Sequence, residues 1–153
     1  MAKKTEKATE AEAPAQVPAK EHRRLIVLVV DDDPLVLTNM AAMLDDVGHK
    51  VFEASSAREA LAILRRESDI QLVITDQAMP HTTGLQLIEE MKDNWPDLPV
   101  ILATGFAELP PGTDLRQITL AKPFRQHDLA YAVETAMTTP DARRILRFRV
   151  PAR

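Results

Sequence analysis

Short apolar runs alternate along the chain with longer segments that carry one apolar face. Ile26-Val27-Leu28-Val29-Val30, Leu72-Val73-Ile74-Thr75, Val100-Ile101-Leu102-Ala103 and Ile118-Thr119-Leu120-Ala121 are almost continuous in aliphatic residues, the pattern of strands covered on both faces of a parallel sheet. A fifth run, Lys50-Val51-Phe52-Glu53-Ala54, is more polar and suits a sheet edge. Between the runs the spacing turns helical. Asp33-Pro34 reads as an N-cap followed by proline at the first helical position. Val36, Met40, Met43, Leu44 and Val47 then form an apolar stripe that Gly48 ends. Ser56-Ala57-Arg58-Glu59 and Thr83-Gly84-Leu85-Gln86 have capping-box spacing. The first opens a helix burying Leu61 and Leu64, and the second a helix to about Lys92. A last helix is expected over about 125–137, burying Leu129, Ala132, Val133 and Ala136. Pro110-Pro111-Gly112 breaks any helix before the last strand and leaves at most a turn around Thr113–Gln117. The pattern predicts an α/β domain of five strands and four good helices, with the helix between the fourth and fifth strands short or missing.

Composition narrows this. At 153 residues the chain has room for one domain with a core but not two ordinary ones. Its 45% hydrophobic and 27% charged residues are those of a soluble globular protein. A net charge of -4 gives no bulk attraction to nucleic acid. The absence of cysteine excludes disulfides, thiolate nucleophiles and Cys-based zinc sites. No run is long enough to span a membrane and no apolar stretch follows Lys3-Lys4, so no secretory signal is read and the cytoplasm is the expected location. Residues 1–22, rich in Ala, Lys, Glu and Pro, read as a disordered leader, and residues 23–138 as the domain. Residues 139–153 read as a basic tail, solvated or loosely docked, with Ile145 and Leu146 available to cover the domain.

The chemistry sits where the apolar runs end. Asp31-Asp32-Asp33 follows the first run, Asp76 the second, Thr104 the third and Lys122 the fourth. Singly, each has a bland reading as a cap, a turn residue or a surface charge. Parallel strands would bring them to one sheet edge, where ligands of open α/β sheets bind. Carboxylates crowded there repel one another unless a cation lies between them. Oxygen donors without Cys or His favour a hard ion, Mg²⁺ above all. Lys122 adds a positive charge and Thr104 a hydroxyl for a phosphoryl oxygen. Positioning and charge neutralisation are what phosphoryl transfer needs.

In order and spacing, VLVVDDDP, LVITDQAMPHTTG, VILATG and LAKPF resemble the motifs of the CheY-like receiver domain of two-component response regulators, over about residues 25–137. The resemblance implies a flavodoxin-like (βα)5 doubly wound sheet of strand order 2-1-3-4-5. It implies Asp76 as phosphoacceptor, taking its phosphoryl group from a sensor histidine kinase or histidine phosphotransfer protein. Mg²⁺ would be held by Asp31, Asp32, Asp76 and the backbone carbonyl of Ala78. Thr104 and Lys122 would contact the phosphoryl group, and the Lys122-Pro123 bond would be cis. Asp33 is left to capping. Met79-Pro80 and Gly84 match the family's loop-shaping residues.

The departures are also informative. Thr119 stands where many receivers carry an aromatic residue that reports activation. The Thr104–Lys122 stretch is short and holds Pro110-Pro111, so the usual output face is remodelled. Ala78 and Phe106 occupy positions that influence hydrolysis in the family; neither can orient water, which implies slow loss of the phosphoryl group. ATGFAELPPG with LAKPFRQHDL looks most like receivers at the C-terminus of hybrid kinases, and partly like stand-alone receivers with a Phe-Ala-Thr-Gly motif. The leading expectation is a stand-alone receiver acting by protein–protein contact on an unknown output protein, without a DNA-binding domain. It is not an enzyme beyond Mg²⁺-dependent self-phosphorylation. The alternatives are a phosphate sink or a phosphorylation-independent interaction module. A haloacid-dehalogenase-like phosphatase with Asp31 as nucleophile fits less well, since no later acidic pair follows Lys122.

Overall fold

The computed structural model describes residues 23–105, 109–111 and 118–138. The expected leader, basic tail, Phe106 and the turn at 113–117 lie outside the described residues. Five strands and four helices follow in the order β1 (Ile26–Val30), α1 (Pro34–Asp46), β2 (Lys50–Ala54), α2 (Ala57–Arg66), β3 (Leu72–Asp76), α3 (Gly84–Met91), β4 (Val100–Thr104), β5 (Ile118–Ala121) and α4 (Gln126–Thr138). The sheet order is β2-β1-β3-β4-β5 and every pairing is parallel. This is the flavodoxin-like order expected from the family resemblance, with the polar β2 at an edge. Between β4 and β5 the described residues form no helix.

The two-residue period of a strand divides the core. Val27 and Val29 face one apolar cluster with Leu37, Met40 and Leu44 of α1 and Leu129 and Val133 of α4. Leu28 and Val30 face another with Ala60, Ile63 and Leu64 of α2 and Leu87, Ile88 and Met91 of α3. Because β1, β3 and β4 are covered on both sides, alternation disappears from their sequences.

Helix ends follow local chemistry. Asp33 caps α1, its side chain accepting from the Leu35 N–H at 2.9 Å. Thr83 and Gln86 form both halves of the capping box at α3. At α2 the Ser56 hydroxyl accepts from the Glu59 N–H at 3.1 Å, but the Glu59 carboxylate reaches one residue further back than expected, to the Ser55 N–H. At the end of α1, Gly48 has φ +95 and its N–H donates to the Asp45 carbonyl at 2.9 Å, the left-handed stop that glycine favours.

Two helix faces differ from expectation. In α1 the buried residues are Leu37, Met40 and Leu44; Val36 and Met43 are partly buried, and Val47 is an exposed C-cap. The helix is apolar on more than one side, and the Leu37-Met40-Leu44 spacing carries the deeper face. In α2, Ile63 is buried with Leu64, while Leu61 is partly buried. No helix among the described residues is long and apolar enough to cross a membrane.

Candidate functional site

Strand β1 pairs with β2 on one side and β3 on the other, so the chain leaves their carboxyl ends in opposite directions and opens a crevice there. Asp31 stands at this point. Its N–H extends the ladder to the Ala54 carbonyl at 3.1 Å, and its side chain is buried. Asp31 Oδ1 accepts the Asp33 N–H at 2.9 Å. Asp31 Oδ2 is buried and accepts no hydrogen bond among the described residues. Burial, foremost, raises the Asp31 carboxyl to about 6, with the Asp76 charge adding to it and the Asp33 N–H opposing.

Asp76, the last residue of β3, is buried and forms an ion pair with Lys122. Lys122 follows β5, and its Nζ also lies 4.0 Å from Asp31 Oδ2. Its N–H donates to the Thr104 carbonyl at 3.0 Å, and the Lys122-Pro123 bond is cis, as the resemblance implied. Asp32 is exposed at the mouth. Carboxylate oxygens of Asp31, Asp32 and Asp76 all lie within 4.8 Å of one another. Thr104 ends β4 one position beyond Ala103, the register partner of Asp76. Its hydroxyl donates to the Gly105 carbonyl at 3.1 Å. Ala78 is exposed on the loop after β3.

This donor set fits a small hard cation. Three carboxylates converge, and one buried carboxylate oxygen lacks a donor. Burying a charge is costly unless it is paired, and the single Lys122 cannot neutralise three acids.

Two residues shape the loop beneath the acids. A Cβ on Gly84 would run into the Asp76 carbonyl oxygen and lie 2.7 Å from Leu102 Cδ1, so α3 begins tight against the end of β3. Gln77 is the residue that sequence reasoning missed. It is buried; its N–H donates to the Ala103 carbonyl at 3.0 Å and its carbonyl accepts from Gly84 at 3.0 Å. Its side-chain oxygen accepts the Leu85 N–H at 2.9 Å. The available signal was the one used for Asp76: a polar residue at the end of a buried strand.

An open, fully parallel sheet with acids at its switch point and a lysine following the last strand is the arrangement of receiver domains. The model of the response regulator receiver domain matches residues 27–134. The chain belongs to that family. It is 33% identical over 120 residues to the Transcriptional regulatory protein GlrR of Escherichia coli (strain K12), covering 76% of this chain and 27% of that one. It is 32% identical over 146 residues to Sensor kinase CckA of Brucella abortus (strain 2308), covering 91% of this chain and 14% of that one. The chain thus spans about a quarter or less of these relatives. Among solved structures it is similar to a response regulator receiver domain protein from Clostridium thermocellum, with TM-score 0.67, 32% identity, and coverage of 74% of this chain and 94% of that one.

Proposed function

We propose that Asp76 accepts a phosphoryl group from a phosphohistidine of a sensor kinase or phosphotransfer protein, and that the domain signals by contact with another protein. The supporting observation is that buried Asp76 lies beside both the Lys122 ammonium and the buried Asp31 Oδ2, which accepts no hydrogen bond among the described residues. One Asp76 oxygen attacks phosphorus, and the P–N bond breaks with its electron pair passing to the imidazole, which takes a proton. The other Asp76 oxygen stays within the acid cluster. Lys122 moves its charge from the carboxylate toward a phosphoryl oxygen, and the Thr104 hydroxyl exchanges the Gly105 carbonyl for another. Asp31, Asp32, Asp76 and the Ala78 carbonyl would hold Mg²⁺, which when bound offsets the negative charge of acids and phosphoryl group.

The Ala78 side chain is only a methyl group and cannot orient an attacking water, so the acyl phosphate is long-lived. Output is by contact with a second protein, in a relay, a sink or an allosteric complex. Incubation with a small acyl-phosphate donor and Mg²⁺, followed by intact-mass measurement, tests the assignment. Wild type should gain one phosphoryl group and Asp76→Asn none. Equal labelling of both would show that the acceptor lies elsewhere.

A further inference from the structure

At the edge of the sheet remote from the acids, α1 and α4 do not close over the β1 side. A groove of about 270 Å³ lies between them, floored by Leu25, Leu44, Leu129 and Val133 and flanked by Met43 and Val47. Its one deep polar group is occupied: His49 Nδ1 accepts the Leu25 N–H at 3.1 Å. Gln126, the first residue of α4, donates to the Met43 carbonyl at 2.8 Å and ties the two helices together. Thr138, the last residue of α4, also lines the groove, as does Arg23. Both ends of the described domain therefore open onto it.

Two acids of α1 lie in sequence between the lining residues Leu44 and Val47. Asp45 and Asp46 are exposed in the last turn of α1, and that turn holds no basic residue. A helix C-terminus favours cations, so this end lacks its preferred charge. Glu134 of α4 lines the groove and is exposed.

We propose that residues 139–153 of this chain fold back along α4 and fill the groove, with Ile145, Leu146 and Phe148 on its apolar floor and the tail arginines against Asp45, Asp46 and Glu134. The segment leaves from Thr138, on the groove itself. Its 15 residues, extended, reach about 50 Å, whereas α4, at 13 residues, is only about 20 Å long. It carries Arg143, Arg144, Arg147, Arg149 and Arg153 against the single Asp141. The leader, also adjacent, is a poor occupant. Its large aliphatic residues are Met1 and Val17 alone, and four lysines balance four glutamates. The proposal does not depend on the phosphoryl chemistry.

The natural absence of cysteine permits a single nitroxide at Ala152→Cys in the full chain. The expected result is paramagnetic broadening of the Leu44, Val47, Leu129 and Met137 amides when label and isotope are on the same molecule. That broadening should vanish in a mixture of labelled and isotope-enriched unlabelled chains, and be lost in Leu146→Glu/Phe148→Glu and weakened in Asp45→Lys/Asp46→Lys. Groove amides that stay sharp overturn the proposal, as does broadening that survives both substitutions. Broadening in the mixed sample overturns it in favour of a second copy seated on the groove.

Discussion

The crevice between β1 and β3 and the edge formed by β4 and β5 contribute to the same pocket but are built differently. In the crevice the backbone holds Asp31, Gln77 and the start of α3. Asp31 is fixed by the Asp33 N–H, Gln77 by bonds to Ala103, Gly84 and Leu85, and α3 starts against the Asp76 carbonyl with no room for a side chain at Gly84. At the edge, the Thr104 hydroxyl donates to the neighbouring Gly105 carbonyl, and Lys122 reaches in from just after a strand of four residues. Fixed acids and movable phosphoryl contacts make chemical sense. On the proposed function, the acids meet a cation, whereas Thr104 and Lys122 change partners when Asp76 is modified. On that reading the crevice holds the charge, and modification becomes a change of surface at the β4–β5 edge.

The largest expected effect comes from removing the Lys122 charge from the crevice. In Lys122→Met, Asp76 and Asp31 stay buried together without their ammonium. Breaking a buried pair on one side costs about 3–5 kcal/mol. The unfolding midpoint in urea should fall accordingly in metal-free buffer, and Mg²⁺ should restore much of it. If stability were unchanged without metal, Lys122 would not be the cation that holds these acids.

Asp31 has the opposite sign. Its carboxyl is raised from the usual 3.8 to about 6, so the native state binds the proton more tightly than the unfolded chain does. Its contribution is fully present below about pH 4 and is lost as pH rises through about 6. Two units correspond to roughly 3 kcal/mol. Metal-free wild type should therefore be more stable at pH 5 than at pH 7.5 as far as this group is concerned. Asp31→Asn should flatten that dependence and raise stability at pH 7.5 while weakening Mg²⁺ binding. Urea titrations at the two pH values, with and without Mg²⁺, measure all of this. An Asp31→Asn variant less stable than wild type at pH 7.5 would mean that burial of the charge is not what strains the site.

The same contrast governs what the sequence disclosed. The order and type of elements were legible because β1, β3 and β4 are covered on both sides, which forces continuous Val, Ile and Leu. The acids were legible because charged residues rarely end such runs without a reason. Gln77 showed only as a polar residue at a strand end; its hydrogen bonds across the loop to Leu85 and Ala103 are not encoded by any local spacing. The α1 stripe was only half right, since a helix apolar on two sides does not say which turns down; Leu37 faces the sheet and Val47 ends in solvent. Strand order rested on the family resemblance, as periodicity says how a strand is covered but not which strand lies beside it.

Two glycines test the crevice against a turn outside it. In Gly84→Ala the new methyl must displace the end of β3 or Leu102. Overpacking of that kind costs about 1–3 kcal/mol, more than the roughly 1 kcal/mol that alanine contributes to a helix. Because the displaced atom is the Asp76 carbonyl, Mg²⁺ affinity should fall as well. In Gly48→Ala the methyl meets open space, and the cost is the left-handed backbone alone, about 1 kcal/mol. Mg²⁺ affinity should not change. Calorimetric titration of both variants separates the predictions, and equal losses of affinity would mean the crevice is no more tightly built than the turn.

The smallest effect belongs to the edge. Pro111 is exposed on the connection after β4. Replacing it with alanine mainly frees the unfolded chain and should destabilise by about 0.4–1 kcal/mol. Labelling of Asp76 by a small phosphodonor should proceed at the wild-type rate, because the donor meets only the crevice and the two phosphoryl contacts. Transfer from a protein donor is a different reading, since a protein touches the surface around the pocket as well. Pro111→Ala that slowed the small donor and the protein donor equally would place this connection inside the chemistry and remove the division between the two halves. A selective change with the protein donor would make the Pro110-Pro111 connection a determinant of partner choice.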